Sequence, residues 1–90
     1  MFKYIFSESL EFKIKKLVKK DRKKADIIYK KVKEIINNDF ETIKRYKNLR
    51  HELSDFKRVH IDRSFVLTFK VDIANNFILF WDFDHHDNIY

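Results

Sequence analysis

The chain contains no glycine and no proline in ninety residues. Every reversal must therefore be made by residues that carry a Cβ and a backbone N–H. Where a turn demands positive φ, asparagine and aspartate are the next most tolerant types. The sequence offers Asn37-Asn38, Asn75-Asn76 and Asp62 for that purpose. These positions divide the chain into stretches whose apolar spacing can be read one at a time.

The opening "MFKYIFS" is rich in aromatic and β-branched residues and reads as a strand. Ser7 is placed to cap a helix in which Leu10, Ile14, Leu17 and Val18 recur at helical spacing. Asp21 can cap a second helix, with Ala25, Ile28, Val32, Ile35 and Ile36 as its stripe and lysines opposite. Asn37-Asn38 end it. Phe40, Ile43 and Tyr46 suit a short helix, and "NLRHELSD" reads as a loop. Three strands follow. "KRVHI" alternates Lys57, Val59 and Ile61 against Arg58 and His60. "FVLTFKV" places Phe65, Leu67, Phe69 and Val71 on one face, and "NFILFWDF" is apolar on both, as in a strand covered on each side. The links "DRS" and "DIANN" suit hairpins. The order predicts one α+β domain over residues 1–90: a strand, an antiparallel helical hairpin, then a three-stranded meander, forming a curved antiparallel sheet with the hairpin on one face.

Several classes of protein are disfavoured. Without cysteine there are no disulfides and no thiolate metal sites, which is compatible with a reducing cytoplasm. The longest strongly apolar run, "NFILFW", is too short to cross a bilayer, and "MFKYIFSESLEF" lacks the apolar core of a signal peptide. A soluble cytoplasmic protein is the expectation. Charge is unevenly spread: residues 1–50 carry 16 basic and 7 acidic side chains, residues 51–90 carry 4 and 7. Such polarity points to a polyanion or an acidic protein as partner.

The chain closes on "DFDHHDNIY", with two adjacent histidines among three acids. Asp82, Asp84, His85, His86 and Asp87 are all possible metal ligands. Neighbouring residues of a strand point to opposite faces, however, and no metal motif is matched, so no metal site or cofactor is assigned. Proton transfer is the other reading. His60 shares its strand face with Arg58, and if the last strand lies near, His86 comes close to it. Two imidazoles and flanking cations suit RNA cleavage: a base frees the 2′-OH to attack the neighbouring phosphate, an acid protonates the leaving 5′-oxygen, and cations stabilise the charge that grows on phosphorus. A tyrosine can stack on a base or hold the phosphate.

Residues 47–90 resemble the RelE/ParE superfamily of bacterial and archaeal toxins. The resemblance runs through Leu49, Leu53, Phe56, Lys57-Arg58, Ile61, Phe65, Leu67, Phe69, residues 77–81, His86 and Tyr90. Within the superfamily it is nearest the YafQ-like branch, whose members carry a histidine in the second strand and another four residues before a terminal aromatic; His60, His86 and Tyr90 match those places. The resemblance implies a metal-independent, ribosome-dependent mRNA endonuclease, held inactive by a cognate RelB-like antitoxin in a hetero-oligomer. It implies His60, His86, Tyr90 and Arg58 as catalytic residues. Lys47, Lys57, Arg50 and Arg63 would contact substrate phosphates. The chain departs from the family pattern where its glycines become His51, Asp55 and Asp84, where an arginine becomes Val66, an aspartate Ser64 and a histidine Lys47. A ParE-like action on DNA gyrase, a non-catalytic nucleic-acid-binding relative and a metal-dependent nuclease are the alternatives.

Overall fold

Short polar side chains decide where the two helices begin. The computed structural model describes residues 1–49, 55–85 and 87. After β1 (Lys3–Phe6), the Ser7 hydroxyl accepts the Leu10 N–H and starts α1 (Glu8–Lys20). The Asp21 carboxylate accepts the Lys24 N–H and starts α2 (Arg22–Ile36), while the Asp21 N–H closes α1 on the Leu17 carbonyl. Each cap satisfies a donor that the first helical turn leaves unpaired. A single residue separates the helices, so they fold back on each other as an antiparallel hairpin.

The turns are made as a glycine-free chain requires. Asp62 and Asn76 take positive φ, at 58° and 53°. The Asp72 carboxylate accepts from the backbone N–H and side-chain amide of Asn75, which shapes the second hairpin turn and holds the Asp72 pKa low. Asn37-Asn38 end α2 differently from expectation. Asn37 stays at φ −87°, and the Asn38 side-chain amide donates to the carbonyls of Glu34 and Ile35, so a side chain does the work assigned to a left-handed backbone. The helix expected around residues 40–46 is one 3-10 turn, Ile43–Arg45. It is opened by the Asp39 carboxylate, which accepts from Thr42 and Glu41.

The sheet comprises β1, β2 (Phe56–Ile61), β3 (Phe65–Asp72) and β4 (Phe77–His85) in the order β1-β4-β3-β2. The meander is antiparallel, but β1 pairs parallel to β4, so the sheet is mixed rather than wholly antiparallel. The reason lies in the helical hairpin. α2 ends where β1 begins, with the Phe2 N–H on the Ile36 carbonyl. The chain therefore enters β2 from the end at which it entered β1. Two reversals in the meander then leave β4 running with β1.

One apolar layer lies between the sheet and the hairpin. Leu10, Ile14, Ile28, Val32 and Ile35 pack there against Ile61, Leu67, Phe69, Ile78, Phe80 and Phe83. Phe80 and Phe83 stand three residues apart, a spacing that would put them on opposite faces of a regular strand. A bulge corrects this: Thr68 pairs with Asp82 and Phe69 with Phe80, leaving Trp81 as the extra residue. Beyond β1 the outer edge of β4 is covered by the start of α1. The Phe80 carbonyl accepts from the Ser7 N–H, the Trp81 carbonyl from the Ser7 hydroxyl, and the Phe83 carbonyl from Lys13 Nζ at 3.1 Å. An exposed edge is thereby closed without another strand.

The second face of β4, which its apolar sequence suggested would be covered, is covered in part. Leu79 is half-buried and Trp81 is 48% exposed, while Val66 and Thr68 of the same face on β3 are buried. Among the described residues, no helix is long and apolar enough to cross a membrane.

Candidate nucleic-acid interface

Strand alternation sorts the predicted residues into two sets. Val59 and Ile61 of β2 join the core, so Arg58 and His60 stand on the face away from the helices. Register fixes their neighbours. His60 pairs with Val66, which pairs with Asp84; Arg58 pairs with Thr68, which pairs with Asp82. His60 is exposed and Arg58 half-buried. β3 lies between β2 and β4, so the last strand is not the immediate neighbour of His60 but the next one, about 10 Å away at two strand spacings. His86, Tyr90 and Arg50 lie outside the described residues. β4 nevertheless ends at His85, opposite Phe65, which in turn faces Ile61, so the chain leaves the sheet at the His60 end.

The edge of β2 gathers the next cation. Residues 47–49 run antiparallel beside it: the Arg58 N–H donates to the Lys47 carbonyl, the Leu49 N–H to the Phe56 carbonyl, and Asn48 bridges to Lys57. Lys47 is thereby tied to Arg58 by its backbone, with an exposed side chain. Arg63 is exposed in the β2–β3 turn. Lys57 points the other way. Its ammonium donates to the Tyr46 carbonyl at 3.1 Å and to Asn48 Oδ1 at 2.9 Å, and burial pushes its pKa down. It pins the segment that carries Lys47 and does not share the face of Arg58 and His60.

The acids near the end of β4 are also engaged. Lys13 reaches Asp82 at 2.8 Å and Asp84 at 3.6 Å. Burial works to lower the Lys13 pKa, but the hydrogen bond and charge of Asp82, with Asp84, outweigh it and hold it raised. His85 contacts the edge of the Phe65 ring and sits 3.4 Å from Asp87 through Nδ1. Among the described residues, no group of three or more histidine, aspartate or glutamate side chains converges as metal ligands would.

What the arrangement offers is an exposed imidazole and a half-buried guanidinium on one sheet face, bordered by lysine and arginine. That combination suits a phosphodiester better than a small neutral ligand.

No protein-family model matches the chain. A curated relative from Methanocaldococcus jannaschii named "Putative toxin RelE4" is 53% identical over 90 residues, covering 100% of this chain and 92% of the relative. The chain belongs to the RelE toxin family. Solved structures of low identity share the RelE fold. Escherichia coli YafQ superposes with a TM-score of 0.74 at 16% identity, covering 100% of this chain and 99% of YafQ. A metal-bound Helicobacter pylori toxin gives 0.73 at 22% identity with full coverage of both chains. A chain of the Mycobacterium tuberculosis RelBE2 toxin–antitoxin complex gives 0.61 at 20% identity, covering 94% and 98%.

Within this RelE chain, sequence reasoning passed over one feature of the face that carries Arg58 and His60. Trp81 leans across β3 to Phe56, with ring centroids 5.5 Å apart. Its signal was available only in retrospect, as the residue that breaks the alternation of β4.

Proposed function

We propose that this chain is the toxin of a type II toxin–antitoxin pair and that it cleaves mRNA on the ribosome. The observation that carries this reading is the shared face of Arg58 and His60, turned away from the helices, with His60 exposed and Lys47 held at its edge. His60 and His86 divide the base and acid roles. One imidazole takes the proton of a ribose 2′-OH, whose oxygen attacks the adjacent phosphorus. The P–O5′ bond breaks, and the other imidazole supplies a proton to the leaving oxygen. The fragments carry a 2′,3′-cyclic phosphate and a free 5′-OH. Arg58 stabilises the charge on the phosphoryl oxygens, and Tyr90 orients or stacks on the substrate. Lys47, Arg50 and Arg63 bind flanking phosphates, and Lys57 supports the Lys47 segment. Each step is a proton transfer or a charge stabilisation, so the reaction as written calls for no metal.

The lysines of α1 and α2 supply long-range attraction to ribosomal RNA. The inhibitor is an acidic antitoxin, partly disordered before binding, that lays a helix or strand over the sheet and the basic helices. The toxin–antitoxin assembly of the RelBE2 neighbour supports such a partner.

Induction in cells tests this reading. Wild type is expected to stop incorporation of labelled amino acids before DNA supercoiling changes, and His60→Ala to restore growth. Arrest that persists undiminished in His60→Ala, with gyrase inhibited, would replace nuclease action with ParE-like binding. Co-expression with an adjacent small open reading frame is expected to yield a stable complex and no arrest.

A further inference from the structure

The sheet face of His60 and Arg58 does not end with those two residues. Two residues back along β2 from Arg58 stands Phe56, on the same face by alternation. Its ring meets Trp81 at 5.5 Å and a 45° tilt, and the Lys70 ammonium stands 5.8 Å from its centroid. Trp81 is 48% exposed and Ile5, paired to Leu79 beside it, is 52% exposed. Thr68, the β3 residue of this face, is almost wholly buried. The bulge at Trp81 is what projects the indole there, and bulges recur where a strand must re-aim a side chain near a site.

From this we infer that Trp81 and Phe56 form a stacking platform for a base of the single-stranded RNA substrate, beside the cleavage position. The inference rests on the nuclease reading for its substrate, but the geometry of the platform is independent of it. Three residues of β2 lie between Phe56 and His60, which places them about 13 Å apart along the extended strand. A nucleotide on the platform is therefore close to the scissile phosphate without being part of it. Lys70 and Arg58 flank the path with positive charge. The acid that follows Trp81 is drawn off: Asp82 is held by Lys13 at 2.8 Å. An aromatic face bordered by cations, with Asp82 engaged by Lys13, fits the stacked base and phosphate of a single strand. It fits an acidic peptide less well, because the exposed side chain at its centre is an indole rather than a cation.

Trp81 is the sole tryptophan of the chain, so its fluorescence reports this place directly. The probe is a single-stranded oligoribonucleotide carrying 2′-O-methyl groups, which binds but cannot be cut. Titration into wild-type protein is expected to quench the indole saturably, with affinity falling as salt is raised. By fluorescence anisotropy of a labelled probe, Trp81→Ala is expected to bind about tenfold or more weakly, and Trp81→Phe to recover most of that loss. Both variants should melt with wild type, since the side chain is half exposed. On mRNA, Trp81→Ala should shift which bases flank the cuts, whereas loss of His60 abolishes them. Absent quenching, or Trp81→Ala binding as tightly as wild type, overturns the platform. So does a variant that keeps RNA binding and loses only the antitoxin, which would assign the patch to protein docking. If wild type fails to cleave mRNA but the probe quenches Trp81, the platform stands and the nuclease reading falls.

Discussion

His60 is exposed, on a regular strand, and paired by backbone to Val66. Its side chain contributes little to packing, so its replacement separates chemistry from folding. His60→Ala is expected to melt within a degree or two of wild type and to lose about 10²–10⁴-fold in cleavage rate, the usual weight of one proton-transfer group. A variant that unfolds would instead make the residue structural. Arg58 is half-buried, and Arg58→Lys should retain charge yet lose planar recognition of phosphate, so it should be far less active than wild type. Lys13 makes a different kind of test. A lysine whose folded pKa is raised contributes stability that is whole below its ordinary value of 10.5 and is lost as pH climbs through the folded value. Lys13→Met is therefore expected to be less stable than wild type by about 1 kcal/mol at neutral pH. Denaturant melts repeated at rising pH should show that difference shrinking only above 10.5.

The elements were legible where one residue type carries one physical role. Ser7 and Asp21 cap helices in the sequence and in the structure. Ser7→Ala is expected to cost about 1 kcal/mol in chemical denaturation, more if its bond to the Trp81 carbonyl on the β4 edge also counts. Asp62 and Asn76 take the positive φ that a glycine-free chain assigns to such residues. Face alternation in β2 and β3 was equally plain, because a buried face repeats every second residue. Two things were not. Periodicity says which face a strand buries, not which strand lies beside it or in which direction, so the parallel β1–β4 pair was hidden. Nor does it survive a bulge: Phe80 and Phe83 both reach the core only because Trp81 interrupts the count. The candidate site inherits the same limits. Its residues on β2 could be placed from alternation and β3 between His60 and β4 from the meander, but the Trp81 bulge beside them could not.

At the scale of the molecule, one apolar layer between the sheet and the helical hairpin holds most of the core. Phe80→Ala removes a fully buried ring from the centre of that layer and should cost about 3–5 kcal/mol, enough to unfold much of a domain this small. Charge is organised on the same plan, with the excess of lysine in the first half of the chain and on the helices. Ribosome binding should therefore weaken steeply as salt rises, and a salt-insensitive interaction would assign recognition elsewhere. The central claim is that the face of Arg58 and His60 cuts RNA. Cleavage mapping on translating ribosomes, with wild type and His60→Ala compared in the presence of a chelator, tests it most directly. The account predicts defined cuts ending in 2′,3′-cyclic phosphate, present with chelator and absent from the variant. Intact mRNA with wild type, or cuts undiminished in His60→Ala, would contradict it.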